Sequence, residues 1–227
     1  MQPASHIPVI AVDGPSGSGK GTIGQILATQ LGWHFLDSGA LYRLVGLAAR
    51  RAAVDLADTH ALAQVARELD IDFIPHLDGP PGVLLKGEDV GDILRTEDSG
   101  AAASQVAAVP AVRKALLQKQ HALRRPPGLV ADGRDMGTTV FPDALVKVFL
   151  TASPEVRAKR RYKQLKGKGF DVNLPRLLDE IRERDARDAA REASPLIPAA
   201  DAHILDTSDL SIFEVVDRIQ EFLRRQR

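Results

Sequence analysis

The stretch Gly14-Pro15-Ser16-Gly17-Ser18-Gly19-Lys20-Gly21-Thr22 decides the fold of this chain. It follows the apolar run 8–12 and precedes isoleucines and leucines that recur at helical spacing over 23–31, so it joins a buried strand to an amphipathic helix. Glycines let such a loop curl until its backbone N–H groups converge on an anion, while the helix N-terminus and the lysine add positive charge. The stretch therefore predicts a loop that binds the phosphates of a nucleoside triphosphate.

One position in this loop departs from the common pattern. The residue after Lys20 is usually a serine or threonine whose hydroxyl binds Mg²⁺, but here it is Gly21, and Thr22 follows one place later. We therefore expect phosphates and water to hold Mg²⁺, with Thr22 as a candidate side-chain ligand. The residues of the loop that are predicted to bind the nucleoside triphosphate are Gly14, Pro15, Ser16, Gly17, Ser18, Gly19, Lys20, Gly21 and Thr22.

Short apolar runs alternate with helical patterns along most of the chain, which is typical of an α/β fold with a central parallel sheet. We expect Ser38 to be the N-cap of the helix after the second strand. Further strands are predicted at 33–36, 129–132, 145–150 and 203–205, and helices at 106–123, 154–166 and 174–191.

Residues 69–92 have a different character from the rest of the chain. Short apolar runs around a Gly-Pro-Pro-Gly turn at 79–82 indicate small antiparallel strands between helices. We therefore predict a core domain formed by 1–64 and 105–227, with an insertion at 65–104.

Composition excludes several classes of function. Thirty basic residues balance thirty acidic ones, and apolar residues make up 44% of the chain, so we expect a globular protein without nucleic acid or a membrane as partner. The absence of cysteine removes disulfides and thiol chemistry. No basic leader with a long apolar stretch begins the sequence, so we expect a cytoplasmic protein.

Further motifs narrow the interpretation to one family. Gly-Lys-Gly-Thr in the loop is joined by Leu-Asp-Ser-Gly-Ala-Leu-Tyr-Arg at 36–43, Ala-Asp-Gly-Arg-Asp-Met-Gly at 131–137 and Glu-Arg-Asp at 183–185. With Ala-Ser-Gln-Val-Ala at 103–107, the chain resembles the bacterial cytidylate kinases, which are nucleoside monophosphate kinases. The resemblance implies a P-loop NTPase-type three-layer fold, in which 65–104 is the inserted domain that binds the monophosphate and 157–170 is a short lid.

The resemblance also implies an activity and the residues that perform it. The γ-phosphoryl group of ATP would move to CMP or dCMP in line, with Mg²⁺ as cofactor and the protein as a monomer. The implied catalytic residues are Lys20, Arg134, Arg184 and Arg191, and the lid would add Arg157 and Arg160 to the ATP-binding set. The implied CMP-binding residues are Ser38, Arg43, Ser104, Arg113, Asp132, Arg134, Asp135, Arg184, Asp188 and Arg191.

Elementary chemistry agrees with several of these implied roles. Arg184, Asp188 and Arg191 are spaced so that one helical face would carry all three, and arginines suit the charge of a transferring phosphoryl group. Cytosine offers acceptors at O2 and N3 beside a donor at N4, so a donor such as Arg113 and an acceptor such as Asp135 would read it.

Other interpretations of the same residues stay open at this point. From spacing alone, a solvated helix with ion pairs explains 184–191 as well as a catalytic face does, and the basic residues at 157–163 equally suit a solubilising surface. A kinase of another small acceptor, such as UMP or a shikimate-like metabolite, would use the same loop, as would a nucleotide-dependent switch without catalytic activity.

Overall fold

The computed structural model describes residues 7–74, 82–167 and 169–226. The chain forms two compact units, the first made of Met1–Leu36 with Leu123–Arg227 and the second of Asp37–Ala122. The predicted insertion at 65–104 lies within the second unit, and its assignment as a separate domain stays a prediction.

Helices and strands alternate along the chain. In order they are β1 (Val9–Asp13), α1 (Lys20–Leu31), β2 (His34–Asp37), α2 (Ser38–Arg51), α3 (Thr59–Arg67), β3 (Ile71–Ile74), β4 (Gly82–Leu85), β5 (Glu88–Asp89), α4 (Gly91–Leu94), α5 (Glu97–Val106), α6 (Pro110–Ala122), β6 (Leu129–Gly133), a π-helix (Met136–Val140), β7 (Val146–Thr151), α7 (Pro154–Gly167), α8 (Leu174–Ala189), β8 (His203–Asp206) and α9 (Ile212–Arg225).

A five-stranded sheet in the order β2-β6-β1-β7-β8 is the frame of the first unit. β1 pairs in parallel with β6 and β7, and β7 pairs in parallel with β8. The predicted α/β class with a central parallel sheet is therefore confirmed. Asp13 lies opposite Gly133, so β1 and β6 end at the same edge of the sheet, where polar side chains of both strands can meet.

Apolar side chains from β1, β6 and β7 pack with α1 and α9 into one core. Ile10, Ile23 and Ile219 are among its buried members, and Trp33 packs against it partly buried. This packing fixes the strand before the phosphate loop and the helix after it, so the loop has rigid ends.

The second unit contains two packed helix pairs, α2 with α5 and α3 with α6. Its strands form an antiparallel sheet in the order β3-β4-β5, which confirms the antiparallel pairing predicted for 69–92. The greater part of the predicted Gly-Pro-Pro-Gly turn lies outside the described residues. No helix in the described ranges is long and apolar enough to span a membrane.

The predicted N-cap of α2 and the predicted start of one helix are wrong for local reasons. Asp37, not Ser38, caps α2, because its carboxylate accepts the Ala40 N–H at 3.0 Å and Ser38 already has helical geometry. The helix predicted at 106–123 is α6, which begins only at Pro110, because α5 ends at Val106. Proline favours a first helical turn and disrupts an interior.

The helix predicted at 174–191 ends at Ala189. Arg191 therefore lies beyond α8, and the expected helical face does not carry all three charged residues. Arg191 still returns to Asp188, because its Nε donates to the Asp188 carbonyl oxygen at 3.3 Å. The sequence pattern found the partners correctly but assigned the contact to the wrong local geometry.

Gly128 gives a test of how tightly β6 is packed. A Cβ atom there would lie 2.4 Å from Cδ2 of the Trp33 indole, so we expect Gly128→Ala to cost about 1–3 kcal/mol of unfolding free energy. In a Trp33→Leu background the same change should cost less than about 0.5 kcal/mol, because the clash is gone. Urea unfolding of the four proteins measures this cycle, and equal costs in both backgrounds would contradict the packing.

Candidate active site

The phosphate loop runs from the end of β1 to the start of α1 and approaches β7 closely. Gly14 has a φ of 147°, and a Cβ there would lie 2.1 Å from the Leu150 carbonyl oxygen, so only glycine fits. Gly19, at the N-cap of α1, has a φ of 95° and supplies no side-chain acceptor. The first N–H groups of α1 are thus left for an anion, as a phosphate site requires.

Lys20, the first residue of α1, is buried beside this loop. Its Nζ donates to the Pro15 carbonyl oxygen at 2.8 Å and lies 4.0 Å from Oδ1 of Asp132, the penultimate residue of β6. Burial and the guanidinium groups of Arg134 and Arg184 lower the pKa of Lys20 from 10.5 to about 7, although Asp132 acts in the opposite direction. The ammonium group is therefore short of negative charge, which ATP phosphates would supply.

Arg134 follows β6 and contacts α8 directly. Its Nε donates to Oδ2 of Asp188 at 3.0 Å, and its Nη1 donates to the Gly133 carbonyl oxygen at 3.2 Å. Burial disfavours the charged guanidinium, but Asp188 and Asp132 outweigh it and raise the pKa of Arg134. This arginine is held in one orientation and stays positive.

Asp188 is the carboxylate with which three arginines of the site interact. Burial acts to raise its pKa, but Arg134, Arg191 and Arg184 overcome that and lower it. Arg191 places Nη2 at 3.9 Å from Oδ1 of Asp188. The predicted catalytic residues Lys20, Arg134, Arg184 and Arg191 are thus linked electrostatically within the first unit, together with Asp132 and Asp188.

Asp13 holds the loop that carries Arg134 and Asp135, and the sequence interpretation missed it. Its two carboxylate oxygens accept the N–H groups of Met136 and Gly137, each at 2.8 Å. Burial raises the pKa of Asp13 from 3.8 to about 7, although these two N–H groups favour the anion. Asp13 ends a buried strand beside another strand that ends in aspartate, and this signal could have identified it.

Asp135, the predicted reader of cytosine, is buried directly before the π-helix. Its backbone carbonyl accepts the N–H groups of Thr139 and Val140 at 2.9 and 3.1 Å. These bonds, with those of Asp13, fix the backbone from which the Asp135 side chain projects.

The two predicted lid arginines make internal contacts in the first unit. Arg157 on α7 is buried and bonds to Asp185 and to the carbonyl oxygens of Ser16 and Ala152. Arg160 donates to the hydroxyl and the carbonyl oxygen of Thr207. That either arginine contacts ATP stays a prediction.

The second unit holds the other predicted CMP-binding residues. Ser38 begins α2 and Ser104 lies on α5, and both are buried. Arg43, also on α2, has an Nε that finds no hydrogen-bond partner among the described residues. Arg113 on α6 donates to the Ala107 carbonyl oxygen at 3.1 Å, and its guanidinium carbon lies 5.5 Å from the Tyr42 ring centroid. Polar side chains from three helices are thus available within this unit.

The residues near the phosphate loop fit a metal held mainly by its substrate. No group of three or more potential metal-ligating side chains occurs in the part of the chain that the structure describes. Asp132 is the carboxylate beside the loop, since a Cβ on Gly21 would lie 3.4 Å from its Oδ2, and Thr22 is exposed. This sparse donor set suits Mg²⁺, which keeps phosphate and water ligands.

A phosphate loop, a buried lysine and a group of arginines on a parallel sheet define a nucleotide-binding protein equipped for phosphoryl transfer. The cytidylate kinase family profile matches residues 10–225. The cytidylate kinase of Stutzerimonas stutzeri A1501 is 61% identical over 214 residues, 94% of this chain and 93% of that protein. That of Pseudomonas aeruginosa PAO1 is 58% identical over 222 residues, 97% and 96% of the two chains.

The chain belongs to the cytidylate kinase family, which confirms the predicted family and the prediction of a kinase. Solved structures resemble it more distantly. A gluconokinase from Sinorhizobium meliloti 1021 is 18% identical with a TM-score of 0.48, and covers 96% of this chain and 92% of its own. A shikimate kinase from Acinetobacter baumannii is 16% identical with a TM-score of 0.46 and covers 99% of both chains.

Asp13→Asn tests the anchoring of the loop after β6. Asparagine keeps one acceptor but turns an amide donor toward a backbone N–H, so we expect a loss of about 1–3 kcal/mol in unfolding free energy. The folded carboxyl binds its proton more tightly than the unfolded one, because its pKa is raised from 3.8 to about 7. The stabilisation that Asp13 provides therefore falls as pH rises from about 4 through about 7.

Denaturant unfolding at pH 5 and pH 8 checks this expectation. The advantage of the wild type over Asp13→Asn should be larger at pH 5. Asp55→Asn is the control, since this exposed carboxylate accepts one backbone N–H, from Ala57 at 2.9 Å, and should change stability by less than about 0.5 kcal/mol. An advantage that grows with pH would contradict the burial of Asp13.

Proposed function

We propose that this protein transfers the γ-phosphoryl group of ATP to the phosphate of CMP or dCMP, producing ADP and CDP or dCDP. The single observation that carries the proposal is the buried Lys20 ammonium beside the phosphate loop, surrounded by arginines and lowered in pKa to about 7. Membership of the cytidylate kinase family supports the choice of acceptor. A small-metabolite kinase and a non-catalytic switch are both disfavoured by that membership.

The phosphate loop and Lys20 bind the donor in this proposal. Backbone N–H groups of the loop and of the first turn of α1 surround the β- and γ-phosphates. Lys20 exchanges its bond to the Pro15 carbonyl oxygen for phosphate oxygens, and their charge restores its protonated form.

The arginines neutralise the charge that spreads over the transferring group. Arg134 is oriented by Asp188 and by the Gly133 carbonyl oxygen, so its second Nη group can reach phosphate without reorganisation. Arg184 and Arg191 share Asp188 with it. Catalysis then consists of positioning and charge stabilisation, which is what phosphoryl transfer asks of a protein.

The acceptor is recognised by residues that we assign in each unit separately. In the first unit, Asp132 and Asp188 bind either the sugar or the arginines that contact phosphate. The Asp135 carboxylate accepts a hydrogen bond from N4 of cytosine. In the second unit the donors are Ser38, Arg43, Ser104 and Arg113. With uracil in the site, the buried Asp135 carboxylate would face the O4 acceptor and would receive no hydrogen bond. This loss gives discrimination of about 100-fold or more in favour of cytosine over uracil.

Mg²⁺ is the cofactor we propose, held by ATP phosphates and water with Asp132 and Thr22 as candidate protein ligands. When bound, it would neutralise charge on the β- and γ-phosphates. We further propose that the protein acts in the cytoplasm as a monomer, with 65–104 as its monophosphate-binding insertion and 157–170 as its lid. The balanced charge of the chain gives no reason for a nucleic-acid partner.

An acceptor panel tests the proposed reaction. ADP release with Mg-ATP is measured for CMP, dCMP, UMP, AMP, GMP, dTMP and shikimate. Turnover confined to CMP and dCMP is expected, with UMP slower by about 100-fold in kcat/KM. Faster turnover of any other acceptor, or none with CMP, would overturn the proposal.

Asp135→Asn in the same panel tests base reading. An asparagine can offer a donor to O4 of uracil, so the preference for CMP over UMP should shrink by about 10-fold or more. Asp143→Asn is the matched control, because this carboxylate in the same β6–β7 connection pairs with Arg124 at 2.7 Å and should leave the preference unchanged. An unaltered preference in Asp135→Asn would remove it from the base-reading role.

A further inference from the structure

Arg157 on α7 makes an unusual set of contacts for a residue expected in a mobile lid. Its side chain is 3% exposed. Nε donates to the Ala152 carbonyl oxygen at 2.9 Å, and Nη1 donates to the Ser16 carbonyl oxygen at 3.1 Å. The guanidinium therefore holds the backbone of the phosphate loop through a carbonyl oxygen, which leaves the loop N–H groups to other partners.

Asp185 on α8 completes the coordination of this guanidinium. Arg157 Nη1 donates to Oδ1 at 3.0 Å and Nη2 donates to Oδ2, so the pair is bidentate. Bidentate pairs fix the mutual orientation of two side chains as well as their distance. Asp185 adjoins Arg184 and lies one turn before Asp188, so it holds the segment of α8 that carries Arg184 and the carboxylate with which the arginines of the site interact.

Two further observations show that the loop is built around this contact. A Cβ on Gly17 would lie 3.2 Å from Cβ of Arg157, so the loop backbone lies directly against α7. Two residues further along the loop, the Ser18 carbonyl oxygen lies 3.3 Å from the Thr207 hydroxyl, whose hydrogen is shared with the Thr151 carbonyl oxygen at 3.1 Å, and Arg160 donates to Thr207. Of the two arginines that the family resemblance assigned to ATP, Arg157 thus contacts the loop backbone directly and Arg160 contacts it through Thr207.

We propose that Asp185 and Arg157, with the Ser16 carbonyl, form a loop brace that sets the distance between the phosphate loop and the segment of α8 that carries Arg184 and Asp188. Neither Asp185 nor the pair needs to touch substrate for this role. The four hydrogen bonds of Arg157 leave little of its donor capacity for ATP. The catalytic consequence rests on the proposed function, but the mechanical one does not.

The catalytic consequence follows from the geometry that in-line transfer requires. The loop fixes the donor phosphates and α8 fixes the groups that stabilise the transition state, so their separation controls the rate. A misplacement of about 1 Å costs about 100-fold in rate while binding at each end stays nearly intact. A break in the brace should therefore lower kcat much more than it weakens ATP or CMP binding.

Asp185→Asn removes the bidentate carboxylate at nearly constant shape. The matched control is Glu155→Gln, because Arg182 Nη2 donates to Glu155 Oε1 at 2.8 Å and this second pair also joins α7 to α8, with both side chains about half exposed. Steady-state kinetics give kcat and KM, and calorimetry gives the dissociation constant of ATP. Hydrogen exchange of amides at 16–19, compared with those of β1, reports on the loop without any turnover.

The brace predicts a clear difference between these two variants. In Asp185→Asn, kcat should fall about 10- to 100-fold with KM for CMP and the ATP dissociation constant within about threefold. Loop amides should exchange about 10-fold faster, with β1 amides unchanged. Glu155→Gln should match the wild type in every readout. Unchanged loop exchange in Asp185→Asn, or equal effects in both variants, would overturn the brace.

A double variant separates positioning from a loss of stability. Asp185→Asn leaves Arg157 as a buried charge with no carboxylate, so Asp185→Asn with Arg157→Gln is made to remove both charges. The brace predicts that kcat stays low and loop exchange stays fast even where unfolding stability recovers. Recovery of kcat together with stability would overturn it. If the wild type fails to phosphorylate CMP, the proposed reaction fails, and loop exchange still decides the brace.

Discussion

The burial of several positive charges at the carboxyl ends of β1 and β6 is the constraint on which the site depends. Burial and the guanidinium groups of Arg134 and Arg184 lower the pKa of Lys20 to about 7, and the carboxylates of Asp132 and Asp13 compensate only in part. Such an arrangement is costly in the free protein. It becomes favourable when a polyphosphate brings negative charge, so the fold is complementary to the charge of its substrate.

Carboxylates that need not meet substrate hold this arrangement in place. Asp13 accepts two backbone N–H groups and so fixes the backbone around Asp135. Asp188 orients Arg134. Asp185 binds Arg157, which in turn binds the phosphate loop. Each is attached to a strand end or a helix, so the catalytic groups inherit the rigidity of the sheet and of α8. Because these groups are already in place, they need not rearrange during the reaction, and such rearrangement would slow phosphoryl transfer.

The sequence predicted the parts of the fold that depend on strong local patterns. The phosphate loop, its flanking β1 and α1, and the parallel strands were recognisable because glycine spacing and buried apolar runs have few alternatives. Helix ends were harder to predict. The cap of α2 depended on which of Asp37 and Ser38 lay outside the helix, and the start of α6 depended on Pro110, which begins it after α5 has ended at Val106. The position of Asp13 at the end of a buried strand was a usable signal, but the partners of Asp13 and Arg157 could not be predicted, because they are distant in sequence and most of them are backbone groups that carry no residue signature.

The central claim is that Lys20 lies among other cations and becomes fully protonated only when ATP phosphates bind beside it. Proton uptake on ATP binding tests this claim most directly. Calorimetry of ATP binding at pH 8, in buffers of different ionisation enthalpy, gives the number of protons exchanged. Free Lys20 should be mostly neutral at that pH and protonated when ATP is bound, so the wild type should take up about one proton more than Lys20→Arg, whose side chain is always charged. Equal uptake in the two proteins would show that Lys20 is already protonated without ATP, and would contradict the account.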